Sequence, residues 1–138
     1  MAIDKSHEAI RDILINASSV TSYTSTVVPF ARWRTEDLPA VTYQRISREN
    51  QYTIDDNGKI KNKQDRLQYN CWDRSYQTAN DLAVNIENEL DDYRDNTIGN
   101  VYIHRIRVDD IQDVPDSPPQ GEEIPIYGVR IEVIITYE

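Results

Sequence analysis

Tyr127-Gly128-Val129-Arg130-Ile131-Glu132-Val133-Ile134-Ile135-Thr136-Tyr137 is the stretch that decides the fold. Tyr127, Val129, Ile131, Val133, Ile135 and Tyr137 take every second place, and Gly128, Arg130, Glu132, Ile134 and Thr136 fill the others. Side chains on a strand point alternately to its two faces. One apolar row therefore predicts a strand in a sheet covered on one side only. Gln64 to Trp72 repeats the pattern: Leu67, Tyr69 and Cys71 face one way, Arg66, Gln68 and Asn70 the other. That register places the cysteine in the core.

Outward from these two strands the period changes. Ala9, Ile10, Ile13, Leu14 and Ala17 recur at helical spacing and predict a helix over 4–17, capped by Asp4 or Ser6. Ala79, Leu82, Ala83, Ile86 and Leu90 predict a second helix over 75–93. Ser18 to Thr26 reads as a loop or turn, and Val27 to Trp33 as a strand that Pro29 places near an edge or a bend. Ala40 to Arg48 and Val101 to Asp110 complete the strands. The turn signal Asp56-Asn57-Gly58 makes 49–62 a hairpin connection, and Val114 to Pro125 is a proline-rich loop. The order is helix, three strands, helix, two strands. It predicts one α+β domain over 1–138, a mainly antiparallel (mixed) sheet of about five strands with two helices packed on one face.

With 138 residues, 38% of them hydrophobic, the chain suits one modest core. Nine tyrosines, two tryptophans and the periodic apolar runs separate it from disordered sequences. A single cysteine gives neither an intrachain disulfide nor a multi-cysteine metal site. No stretch approaches ~18 apolar residues, and the first residues lack a signal-peptide core, so neither a membrane span nor a leader is expected. The net charge of −9 is uneven: residues 1–74 hold 11 Lys/Arg against 10 Asp/Glu, residues 75–138 hold 4 against 14. The acidic half lacks the cations that phosphate-backbone binding needs.

Motifs for chemistry fall short. His7 is expected on the exposed side of the first helix beside Glu8, and His104 on a strand; neither is paired by the sequence with a nucleophile. Thr53 to Gly58 grazes a calcium-loop pattern, but Thr53 and Gln64 stand where ligating carboxylates belong. Asp109 and Asp110 should point to opposite faces of a strand and so cannot share an ion. Lys59, Lys61, Lys63 and Arg66, with Tyr52 nearby, form a basic cluster diluted by Asp55, Asp56 and Asp65. Protection of a strand edge by lysine explains it more simply than DNA contact does. No catalytic residue, metal or cofactor is expected.

Three segments nevertheless resemble a known family. They are Leu38-Pro39-Ala40-Val41-Thr42-Tyr43-Gln44-Arg45-Ile46-Ser47; Leu67-Gln68-Tyr69-Asn70-Cys71-Trp72 followed by Tyr76, Ala79, Leu82 and Ala83; and Ile106-Arg107-Val108-Asp109-Asp110-Ile111-Gln112-Asp113 with Tyr127 to Ile131 closing into Tyr137. In this order, over nearly the whole chain, they resemble the tail completion, or tail terminator (head–tail joining), proteins of long-tailed bacteriophages. The resemblance implies a virion protein assembled in the host cytoplasm. It forms a ring, usually a hexamer, at the head-proximal end of the tail, touching the tail tube protein, the head connector protein and the DNA that passes through. The long charged hairpin at 49–66 and the proline-rich loop depart from the family pattern.

On that reading the near-neutral N-terminal half of one copy meets the acidic half of the next. Surplus acid on Glu87, Glu89, Asp91, Asp92 and Asp95 lines the channel and repels DNA. Tyr52, Asp55, Asp56, Lys59, Lys61 and Lys63 in the hairpin and Asp116, Glu122 and Glu123 in the loop are candidate partner contacts. The alternatives are an acidic binding module, such as a DNA mimic or host-factor inhibitor, and a head connector component.

Overall fold

The computed structural model describes residues 5–24, 27–29, 39–52, 60–114 and 127–138. Helix α1 (Ser6–Ile15), the single turn α2 (Ser18–Thr21) and strand β1 (Val27–Pro29) come first, followed by β2 (Ala40–Tyr52) and β3 (Ile60–Asp73). Helix α3 (Tyr76–Leu90) precedes β4 (Tyr93–Ile98), β5 (Val101–Val114) and β6 (Tyr127–Tyr137). The strands form one curled sheet in the order β1-β2-β3-β6-β5-β4. β1 runs parallel to β2, and every other neighbouring pair is antiparallel. The architecture is α+β, with six strands and three helices among the described residues, where the sequence predicts about five and two.

The sixth strand comes from Tyr93, read as the end of the second helix, and from the connection that follows it. α3 stops at Leu90 because Asp91 turns extended (φ −65°, ψ 128°) and Asp92 takes a positive φ of 63°. The Asp92 N–H then bonds to the Ile106 carbonyl, 2.9 Å away, and the chain enters β4. Gly99-Asn100 makes the two-residue turn into β5. Only Gly99 has positive φ there (59°), the arrangement of a type II′ hairpin. Ser18 to Thr21, expected as loop, forms the extra helical turn.

One face of the sheet meets the helices. Leu67, Tyr69 and Cys71 of β3 and Val129, Ile131, Val133 and Ile135 of β6 are fully buried there. They share a core with Ala9, Ile10 and Leu14 of α1 and Ala79, Leu82, Ala83, Ile86 and Leu90 of α3. Burying each large aliphatic side chain contributes about 1.5–3 kcal/mol. The alternation read from the sequence thus places the core correctly, cysteine included. It misplaces Tyr127, which is 39% exposed and meets Tyr76 edge-on, centroids 6.0 Å apart.

Three of the four register shifts in the ladders lie at residues whose side chains are described, and they re-aim side chains. In β2 the ladder passes from Arg45↔Leu67 to Ser47↔Arg66, so Ile46 is the extra residue. In β5 it skips His104 and Asp109. Strict alternation after Ile103 would send Arg105 inward, whereas the shift at His104 brings in Ile106, which is fully buried. The strands of the hairpin also run further than expected, β2 to Tyr52 and β3 back to Ile60, so much of the expected 49–62 connection is ladder.

Gly128 lies under the Trp72 indole. A Cβ there would sit 2.6 Å from Trp72 Cζ3, 2.9 Å from Cε3 and 3.1 Å from Val114 Cβ. Gly128→Ala should therefore destabilise the fold by about 1–3 kcal/mol, seen as a lower urea midpoint at unchanged slope.

Candidate functional site

Parity along β3 carries one charged side chain, Asp65, into the buried part of the covered face. Asp65 lies in the same row as Leu67, Tyr69 and Cys71 and is fully buried. Its Oδ1 accepts from Arg48 Nε at 2.8 Å; its Oδ2 accepts from Arg48 Nη2 at 3.2 Å, Ser6 Oγ at 2.5 Å and the Tyr137 hydroxyl at 3.1 Å. Burial pushes the carboxyl upward. The Arg48 guanidinium and the Ser6 and Tyr137 hydroxyls outweigh it and hold Asp65 below the usual carboxylate range. Ser6 is the first residue of α1, so the anion also faces the positive end of the helix. Ser6 thus does not cap α1, whose N-cap is Lys5 with no side-chain bond.

Beside this ion pair opens a cleft of about 490 Å³ lined by Lys5, His7, Pro29, Tyr43, Gln44 and Arg45. It lies where the described part of β1 reaches Pro29, which has no N–H to offer the ladder. β1 covers β2 only from Val41 to Tyr43, and the edge of β2 is open from Gln44 onward among the described residues. His7 is half-buried rather than on the exposed side of its helix, because α1 lies over β2 and stacks the imidazole on Tyr43, centroids 5.7 Å apart. Burial, with Lys5 and Arg45 beside it, lowers its pKa against the opposing pull of Glu8 and Asp65. Tyr43 in turn meets Tyr69 (5.7 Å), whose buried hydroxyl finds no hydrogen-bond partner.

No helix among the described residues covers the other face of the sheet. Polar ladders cross it. Arg66 Nη1 bonds Asp109 at 2.9 Å and Glu132 at 3.0 Å; Arg130 bonds Gln112, which bonds Asp110; the Trp72 indole donates to Thr42 at 3.0 Å. Ile134 is buried on this face, flanked in register by Arg66 and Arg107. Aliphatic stems of arginine cover apolar surface in this way.

Several sequence expectations are corrected here. Asp109 and Asp110 do not face opposite ways, because the register shift frees Asp109 to reach Arg66 while Asp110 pairs opposite Glu132 on the same side. Arg66 is on the opposite face from Lys63 and is ion-paired. At Lys63 β3 lies between β2 and β6, so that lysine protects no edge. Tyr52 ends β2 and Lys61 lies in β3, with their side chains outside the described residues, as are Asp55, Asp56, Lys59, Asp116, Glu122 and Glu123.

The acids at the end of α3 are close together, and most are engaged. Glu89 accepts from Ser19 Oγ at 2.9 Å, Asp91 from the Val108 N–H at 3.0 Å, and Asp92 pairs with Arg94 (2.9 Å) and Arg105 (3.3 Å). Asp91 thus serves as a local tie between α3 and β5. No group of three or more His, Cys, Asp or Glu side chains among the described residues is placed to hold a metal ion. His104 lies 3.2 Å from Glu138 and edge-on to Tyr102. Among the described residues no helix is long and apolar enough to cross a membrane. No sequence model of a known protein family matches the chain, and no curated protein matches it.

Arg48→Ala should cost about 2 kcal/mol, because it strands a buried carboxylate whose partner was itself one-third exposed. Asp65 is depressed in the folded state, so the unfolded chain binds its proton more readily. The stability it supplies is complete above about pH 5 and drains away as pH falls through and below about 4. Urea titrations from pH 7 to 3 should show this acid loss in the native protein and a shallower one in Asp65→Asn. Tyr69→Phe should cost nothing, or gain up to about 1 kcal/mol, since it removes a buried hydroxyl without a partner.

Proposed function

We propose that this chain is a structural protein of a long-tailed bacteriophage virion and not an enzyme. It forms a ring, hexameric by family resemblance, at the head-proximal end of the tail. There it ends tail-tube polymerisation and offers the surface that joins the head. Its partners are copies of itself, the tail tube protein and the head connector protein, and DNA passes through the ring without specific binding.

The observation that carries this reading is the one-sided sheet. All described helices lie on one face, and among the described residues the sheet presents two separate open edges, β2 beyond Tyr43 and β4. A ring subunit needs two different surfaces, one for each neighbour, and such an arrangement closes by rotation. The three-segment resemblance maps onto the same sheet: β2, β3 with the start of α3, and the β5–β6 pair. An acidic DNA mimic fits less well, because Glu89, Asp91, Asp92, Asp109, Asp110 and Asp113 are each engaged by a neighbouring group.

Electron microscopy of particles assembled without this protein tests the assignment. Heads together with over-long, unjoined tails are the expected result. Tails of normal length that fail to attach would move the chain to the connector side of the joint, and unaltered virions would refute the reading.

A further inference from the structure

Among the described residues the sheet has two open edges, and they differ in charge. On the β2 side, the cleft holds Lys5 and Arg45, and neither has an ion-pair partner among the described residues. On the β4 side, Arg94 and Arg105 are both taken by Asp92. That leaves Asp95, exposed on β4, and Glu87 on α3 without a cation. Helical periodicity places Glu87 three turns beyond Tyr76, whose hydroxyl reaches Asp113 of β5, while Asn85 and Glu89 point to Ser19 of α2. Glu87 therefore lies on the side of α3 that faces the β5–β4 edge.

We propose that the Lys5–His7–Arg45 cleft receives the acidic α3–β4 corner of a second copy of this chain. The proposal rests on the ring reading and names the surfaces that close it. The contact is made by side chains and not by an added strand. Ile46 interrupts the alternation of one edge, and Asp95, with a positive φ of 55° and no cross-strand partner in β5, interrupts the other. Opposite charges set the direction of approach, so every subunit presents its cleft to one neighbour and its acids to the other. Glu87 and Asp95 thus lie between copies and not on the channel wall, where the resemblance to ring-forming tail proteins leads one to expect them.

Sedimentation velocity of the full chain at low and high salt tests this with two double variants. Lys5→Glu/Arg45→Glu reverses the cleft. Glu87→Lys/Asp95→Asn weakens the acidic corner, asparagine being tolerated at positive φ. The native chain should self-associate, more weakly in high salt. Each double variant should associate about tenfold or more weakly, and an equimolar mixture of the two should recover, since the acidic cleft of one then meets the basic corner of the other. Carbodiimide coupling of the native chain needs no variant and should join Lys5 of one copy to Glu87 or Asp95 of another. Native-strength association by both variants, without that cross-link, overturns the edge assignment and leaves the ring intact. A native chain that stays monomeric to about 1 mM at low salt, also without the cross-link, overturns the edge assignment too. Its presence or absence in isolated tails then decides the ring separately.

Discussion

The carboxylate of Asp65 is enclosed where α1, β2, β3 and β6 meet, and a buried charge there costs several kcal/mol unless it is paired and hydrogen-bonded. Arg48 supplies the charge from β2, Ser6 a hydroxyl from the start of α1, and Tyr137 another from the end of β6. Four elements are thereby fixed by one anion. Apolar packing tolerates small slips, whereas this arrangement does not. A one-residue shift of β2 on β3 would turn Arg48 to the other face and leave Asp65 unneutralised, so the penalty for error is larger than the net gain from the pair. The ion pair contributes specificity of register more than stability.

Arg48 reaches Asp65 only because Ile46 is inserted in β2. Before it the odd-numbered residues Val41, Tyr43 and Arg45 oppose the inward row of β3; after it Arg48 does. The same device recurs in β5. There His104 lets Ile106 enter the core, and Asp109 is released toward Arg66. Each shift solves a local conflict between a strict period of two and a sequence that does not keep it. Each also disturbs the pleat, which leaves the β2 edge irregular where the cleft opens.

What was legible in the sequence follows from this. β6, the inner row of β3 and the apolar stripe of α3 keep their periods, and their faces could be read directly. β4 could not, because Glu87 to Tyr93 is locally compatible with a helix. The break depends on a positive φ at Asp92 and on a bond to Ile106, a long-range partner. Asp65 was within reach: counting back by twos from Leu67 puts it inside, but its charged neighbours make it read as surface. Arg48 was not, since nothing in the residues around Ile46 announces an insertion. The position of His7 also depends on where α1 docks, which a helical period alone leaves open.

An open sheet edge is a hazard as well as an opportunity, since unpaired backbone groups invite endless strand addition. Here the described part of β1 is three residues long and reaches a proline, β2 carries an inserted residue beyond it, and β4 carries Asp95 at positive φ, just after Asp92 in the same region. None of these edges offers a long regular ladder to a neighbour. Association is therefore left to side chains, whose charges differ between the two ends of the sheet. Backbone pairing would favour open-ended stacking, while discrete charge contacts fix one angle between neighbours, and a fixed angle is what allows a chain of subunits to close into a ring. The irregularities that keep the monomer from aggregating are then the same ones that make a finite assembly possible.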